Sequence, residues 1–235
     1  MSDQIDTRIS ASLHPAVVQA LDGYDECTSF LGQVETAFSE CYEGLRTVHD
    51  AREAAKLNPT WNDAQQVIHV DDLARRVFDR TARLMDTAKG NLDKSIASYE
   101  AQLSGPVEAN ASQAVAAEIR SHVKALPLGE RLSFVESAIS RGDHLSASAV
   151  LGAPSYLSGL QPETSVAMTR LFHERSSPEV ARRLNLMKEA RALVIEKGGL
   201  LHKEMERAVG MAPAKVAALR KAKTAAEAAF ILKDA

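Results

Sequence analysis

The chain has 235 residues, of which 45% are hydrophobic, 25% are charged and 5% are aromatic. This composition is typical of a protein with a substantial folded core, and the low aromatic content favours packed helices over a β-sandwich. The sequence contains no apolar run of about 18 residues, the length that would predict a transmembrane helix. The first ten residues lack the basic and apolar regions of a signal peptide. We therefore expect a cytoplasmic protein or one packed into a particle assembled there.

The net charge of −3 is unevenly distributed along the chain. Residues 1–105 carry a net charge of −7, whereas residues 106–235 carry +4. Oppositely charged segments attract each other, either within one chain or between two copies. The distribution therefore predicts that the acidic and basic segments help to select partner and register.

A heptad pattern runs from about Pro15 to Ala55 and predicts one long amphipathic helix. Small residues beside the apolar seam, such as Gly23 and Gly44, would let other helices approach closely, so we expect more than one helical neighbour. The seam residues that we expect to form a helix-helix interface are Val17, Tyr24, Leu31, Val34, Phe38, Cys41, Leu45 and Val48.

The two cysteines, Cys27 and Cys41, fall in this predicted helix. Their separation of 14 positions corresponds to about 21 Å along a helix, which is too long for a disulfide. The sequence therefore predicts two free thiols and a reducing compartment.

A second helix is predicted from Asp63 to Leu103, after a break at Pro59. Two long helices joined by a short turn predict an antiparallel coiled-coil hairpin. Trp61 lies at the predicted turn, where it would serve either to pack the turn, which we favour, or to anchor a partner.

Residues 103–112 read as a linker, and shorter helices are predicted after it. Ser112 begins a helix that ends before Pro127, and a second helix runs from about Leu128 to Gly142. Asp143 is placed to cap a short helix that Gly152 and the following proline terminate.

The stretch GDHLSASAVLGAPSYLSGL, residues 142–160, consists mainly of small and apolar residues, and its helical pattern is broken at two interior points. We expect its larger apolar side chains to pack together as a compact corner; these are Leu145, Val150, Leu151, Tyr156, Leu157 and Leu160. The alternative is a patch that docks a partner, which requires Tyr156 and Leu157 to be exposed.

Pro162 opens a helix of about three turns, and Pro178 opens a longer one whose seam continues to Ala208. Residues 210–213 break the pattern before a final Ala-rich helix. The sequence thus predicts an all-α protein in three parts: a coiled-coil hairpin over 1–106, a connector of short helices over 107–176, and basic C-terminal helices over 177–235.

The last helix carries a group of basic residues that could contact nucleic acid: Lys215, Arg220, Lys221 and Lys223. Basic patches neutralise phosphates, but no aromatic residues alternate with these charges. We favour solvated helix faces, or contact with the acidic first hairpin, over nucleic-acid binding.

Sequence motifs of catalysis are missing, and the seven histidines form no metal-binding motif. The pairs His49 with Glu53, Glu118 with His122, and His202 with Glu206 have the i,i+4 spacing that could supply two metal ligands each. Solvated pairs of this kind are far commoner than metal sites. We therefore expect no enzymatic activity, no metal and no cofactor.

The stretch ERLSFVESAISRGDHLSASAVLGAPSYLSGL, residues 130–160, resembles part of uncharacterised helical proteins encoded among the virion and assembly genes of tailed bacteriophages and prophages. This resemblance covers about a seventh of the chain and implies a structural or assembly component, in the host cytoplasm or in the virion. The expected partners are a second copy or other virion proteins, with no membrane. The alternative function is a nucleic-acid-associated packaging or regulatory protein that uses the basic C-terminal helices.

Overall fold

A computed structural model describes residues 5–230 of the chain. The helices are α1 (Ala16–Gln19), α2 (Thr28–Lys56), α3 (Asp63–Leu103), α4 (Gln113–Ala125), α5 (Leu128–Ser140), α6 (His144–Leu151), α7 (Ser155–Ser158), α8 (Pro162–Ser176), α9 (Pro178–Gly198), α10 (Leu201–Val209) and α11 (Pro213–Glu227). Short 3-10 turns lie at Ala11–Leu13, Tyr24–Glu26 and Ala228–Phe230. The predicted all-α class is confirmed, with no strand within the described residues.

Two compact units make up the fold. Unit 1 comprises residues 1–93 together with 186–235, and unit 2 comprises residues 94–185. The boundaries predicted after residues 106 and 176 do not coincide with this division, which falls inside α3 and α9. The predicted boundaries were placed at a linker and at a proline that begins a helix, and both features mark the ends of helices. The compact units divide elsewhere because α3 and α9 are continuous helices that run from one unit into the other.

Unit 1 is organised around α2, whose apolar stripe is buried along most of its length. The helix packs against α1 and α10. Contacts with α3 run in opposite order along the two helices: Glu40 pairs with Arg80 at 2.7 Å, and Gly44 faces Val77. The expectation of more than one helical neighbour is therefore confirmed.

The first predicted helix is wrong in its N-terminal part. Residues 15–27 form α1 and a 3-10 turn, and α2 begins at Thr28. Gly23 has a φ of 83°, a left-handed conformation that ends the helical path and that glycine adopts without strain. Cys27 precedes α2 instead of lying within it, and both thiols are free and buried, as predicted.

The long helix predicted from Pro178 to Ala208 is also interrupted. It divides into α9, which ends at Gly198, and α10, which begins at Leu201. The two adjacent glycines at 198 and 199 favour a break, because glycine loses more backbone entropy in a helix than any other residue. The apolar pattern nevertheless remains buried across the break, at Leu184, Met187, Val194, Leu201, Met205 and Ala208.

Polar contacts connect the N-terminal segment of unit 1 to α2. The Asp6 backbone N–H donates to the Tyr42 hydroxyl at 2.6 Å, and Arg8 forms ion pairs with Asp6 and Asp50. The Arg8 guanidinium lowers the pKa of Asp6 to about 2. These contacts hold residues 6–8 against α2.

Unit 2 has its own apolar core between α4, α5, α6 and α8. The largest contributors to this core are Val123, Val135, Ile139, Val150, Leu160, Met168 and Phe172. The predicted cap at Asp143 is confirmed, since its side chain accepts from the Ser146 N–H. The Ser112 side chain also caps α4, accepting from the Val115 N–H.

We predict opposite effects of alanine at two glycines of α2. A Cβ at Gly44 would lie 2.6 Å from Val77 Cγ1, whereas a Cβ at Gly32 would meet nothing within 4 Å. Gly44→Ala should therefore lower the free energy of unfolding by about 1–3 kcal/mol through overpacking. Gly32→Ala should raise it by up to about 1 kcal/mol. Urea unfolding followed by Trp61 fluorescence measures both, and equal effects would contradict the close approach of α2 and α3.

We predict that the Asp143 cap stabilises α6 in a pH-dependent way. Hydrogen bonds from Ser146 lower the pKa of Asp143. The stabilisation is thus complete above the unfolded pKa of about 4 and disappears as pH falls through the folded value. Asp143→Ala should cost about 1 kcal/mol at pH 7, and Asp143→Asn should keep the cap but lose its pH dependence.

Native-state hydrogen exchange of the α6 amides checks this cap, with Ser140→Ala on the exposed end of α5 as the control. Unchanged protection in Asp143→Ala at pH 7 would show that the cap does not stabilise α6.

Candidate docking surface

The predicted interface along the first helix is not available at the surface. Val17 and Tyr24 are half-buried, and the remaining members are fully buried inside unit 1: Leu31, Val34, Phe38, Cys41, Leu45 and Val48. These six residues therefore lack the exposure that self-association or docking through this seam would need. The physical reason is that α3, α10 and the N-terminal segment already cover the stripe.

The stretch at 142–160 also differs from the predicted corner. Val150, Leu151 and Leu160 are buried as expected, whereas Tyr156 is 68% exposed and Leu157 is 39% exposed. Leu145 is exposed as well, at 44%. The one-turn helix α7 has room to bury one side only, which it does through Ser158, so its opposite side projects Tyr156 and Leu157 into solvent.

A single guanidinium holds the end of α7 in place. Arg131 on α5 donates from Nη1 to the Gly159 carbonyl at 2.8 Å and from Nε to the Leu126 carbonyl at 2.9 Å. Its Nη2 donates to the Lys124 carbonyl at 2.9 Å. The planar fork of arginine thus joins the C-terminal end of α4 to the turn after α7.

Two depressions include residues next to α7 in the chain. A groove of about 670 Å³ is lined by Pro154, Ser155 and the exposed Val166. A smaller depression of about 170 Å³ is lined by Gly159, Leu160 and the exposed Leu128. We call the exposed side chains Leu128, Tyr156, Leu157 and Val166, with these two depressions, the α7 surface.

The charged residues that line the two depressions are already engaged within unit 2. Arg131 donates to the three carbonyls described above, and Arg170 pairs with Glu100 and Glu174. Their charges are therefore directed inward. The α7 surface suits an apolar, uncharged contact better than a phosphate or a carboxylate.

The predicted nucleic-acid contacts on α11 do not act as one group. Arg220 is held in unit 1 by Asp71 and Asp72, at 2.5 and 2.6 Å. Lys223 pairs with Glu227 at 3.7 Å on the same helix. Lys215 and Lys221 are exposed and, within the described residues, have no ion-pair partner. Two of the four predicted cations thus remain free to meet phosphates.

The buried Cys41 thiol is not activated as a nucleophile, and the described residues form no cluster of metal ligands. Burial raises the pKa of the Cys41 thiol to about 12, which keeps it protonated and unreactive. Within residues 5–230 no three His, Cys, Asp or Glu side chains are grouped closely enough to hold a metal ion. In the same range no helix has the length and apolar character needed to cross a membrane.

Comparison with known proteins gave no match to any family model, curated protein or solved structure.

We predict that Arg131 determines the order of the α7 surface. Arg131→Met removes three charge-assisted hydrogen bonds and should lower the stability of unit 2 by about 2–3 kcal/mol. Arg131→Lys should recover only part of this loss, because an ammonium group cannot reproduce the fork. Hydrogen exchange of residues 155–160 reports the effect, with the exposed Arg141→Met as the control. Equal protection in all three variants would contradict this role.

Proposed function

We propose that this chain is a non-enzymatic structural or assembly protein that docks a partner protein on the α7 surface of unit 2. The observation that carries the proposal is the exposure of Tyr156 and Leu157 on a one-turn helix anchored by Arg131. Leu128 and Val166, which line the two depressions, are exposed as well. A group of large apolar side chains at a protein surface is typical of an interaction site.

The geometry fits what protein interfaces require. Tyrosine is enriched among the residues that dominate binding energies, because it offers a large, stiff contact area and a hydroxyl that can find a partner. The Arg131 hydrogen bonds fix α7 before any partner arrives, so little ordering entropy is lost on binding. The groove beside Val166 offers a concave site for a side chain of the partner.

The wider assignment, a bacteriophage virion or morphogenesis component acting through helix-helix association, is part of the same proposal. Its support is the resemblance of residues 130–160, a stretch that contains α6, α7 and most of α5. We further propose that α2 and the first part of α3 pair as an antiparallel coiled coil, which would act as the rigid body of unit 1. The support is the opposite order of their contacts at Glu40 and Gly44.

We predict that partner binding depends on Tyr156 and Leu157. The tagged full chain is expressed in its native cells, and recovered proteins are quantified for wild type, for Tyr156→Ser with Leu157→Ser, and for Leu57→Ser. Leu57 is 84% exposed at the end of α2 in unit 1 and provides the matched control. The recovered amount of a partner protein should fall at least tenfold with the double variant and stay unchanged with the control.

A photo-crosslinking residue at position 156 then identifies what contacts α7 directly. Crosslinks to another virion or assembly protein support the proposal, and crosslinks to a second copy of this chain support its self-association form. An unchanged set of recovered proteins in the double variant would overturn the proposal.

The second candidate is a nucleic-acid-associated packaging or regulatory protein. The exposed Lys215 and Lys221 favour it, whereas the engagement of Arg220 by two carboxylates weakens it. Retention on DNA that falls steeply with salt and is lost in Lys215→Glu with Lys221→Glu would support this function over protein docking. Retention that ignores both lysines would exclude α11 as the contact.

A further inference from the structure

Unit 1 contains a cavity of its own, separate from the two depressions of the α7 surface. It lies between α3, α10 and the start of α11. It has a volume of about 300 Å³, which is at the lower end of the range for sites of small organic ligands. Its apolar lining comes from all three helices and from the turn before α11: Ala74, Phe78, Met205, Val209, Met211, Pro213 and Val216. This lining favours a ligand with an apolar body over a hydrated ion.

One side of the cavity carries a balanced group of charges. Asp71 and Arg75 line it and pair with each other at 2.8 Å. Arg220 contacts Asp71 and also Asp72. The two carboxylates and two guanidiniums cancel, so this group leaves little net charge for a ligand to meet.

Two further carboxylates at the cavity are not balanced in this way. Asp79 on α3 and Glu206 on α10 both line it. Within the described part of the chain, neither side chain forms a hydrogen bond or an ion pair. Asp79 is exposed and Glu206 is half-buried. The cavity therefore combines an apolar interior with two carboxylates that form no ion pair within the described residues.

Two aromatic side chains also line the cavity. The rings of Phe78 and His202 meet edge to face, with centroids 5.8 Å apart. Both residues line the cavity, and the face of a phenyl ring attracts a cation. His202 and Glu206, the i,i+4 pair of the sequence, thus lie beside one cavity together with Asp79 from another helix.

We propose that this cavity binds a small organic cation, with an apolar body in the interior and an ammonium or guanidinium group near Asp79 and Glu206. The charge complementarity supports a cation, and the apolar interior supports an organic ligand. An anion would face two uncompensated carboxylates. This site is independent of the α7 surface, which belongs to unit 2.

Ligand binding should also stabilise α11 against local unfolding. Val216, which is 2% exposed, is the one buried side chain of this helix, and it forms part of the cavity wall. The helix is otherwise held by the Arg220 ion pairs. A ligand that fills the cavity adds contacts at Val216, so hydrogen exchange of α11 should slow when the ligand is bound.

The test uses three probes of one shape and different charge: 4-phenylbutylammonium, 4-phenylbutan-1-ol and 4-phenylbutanoate. Binding to the full chain is measured by calorimetry, with hydrogen exchange of α11 as the second readout. We expect the ammonium compound to bind about tenfold more tightly than the alcohol, since partly exposed carboxylates contribute modestly, and the carboxylate compound to bind most weakly.

Substitution of both carboxylates then tests whether they cause the preference for a cation. Asp79→Asn with Glu206→Gln should reduce the affinity for the ammonium compound about tenfold, to that of the alcohol. Asp86→Asn, an exposed position further along α3, should leave it unchanged. Far-UV circular dichroism confirms that the variants fold, as neither Asp79 nor Glu206 is buried in the core.

Three results would each overturn the proposal. These are equal affinities for the three probes, a cation preference that survives the double variant, and no binding of the ammonium compound at 10 mM (about 3 kcal/mol at the 1 M standard state).

Discussion

The fold of unit 1 depends on covering the apolar stripe of α2. Phe38, Leu31 and Leu45 are among the largest fully buried side chains of the described chain, and all three lie on this stripe. An isolated helix cannot bury such a stripe, so its stability comes from its neighbours. The neighbours come from both directions along the chain: α1 precedes the stripe, whereas α10 follows it by about 150 residues. Unit 1 is consequently built from two separate segments of sequence.

Local signals in the sequence were sufficient for much of the helix order. The second helix was predicted at Asp63–Leu103, which are its bounds in the structure. The cap at Asp143 was predicted from residue type, because an aspartate side chain can satisfy the first free N–H groups of a helix. Breaks inside an apolar pattern were missed. The heptad pattern continues through Gly23 and through Gly198, so the periodicity concealed breaks that the glycines themselves indicate.

The candidate site residues were harder to predict, because the pattern shows which side chains avoid water but not what covers them. The stripe through Phe38 was assigned to self-association or docking, although other segments of the same chain cover it. Arg220 was grouped with its basic neighbours, although its partner Asp71 lies 149 positions away. The exposure of Tyr156 depends on which side of α7 faces the core. Each of these outcomes is decided by tertiary contacts that the local sequence does not contain.

The discontinuity of unit 1 affects the order in which the chain can fold during synthesis. The ribosome completes α2 before it has made the residues of α10 that pack on it. At about 5–20 residues per second, the roughly 145 intervening residues take about 7–30 s to translate. All of unit 2 emerges within this interval. A nascent chain therefore carries an apolar helix without its α10 cover for seconds, and chaperones or a neighbouring nascent chain can reach that side of the helix before its own C-terminal segment does.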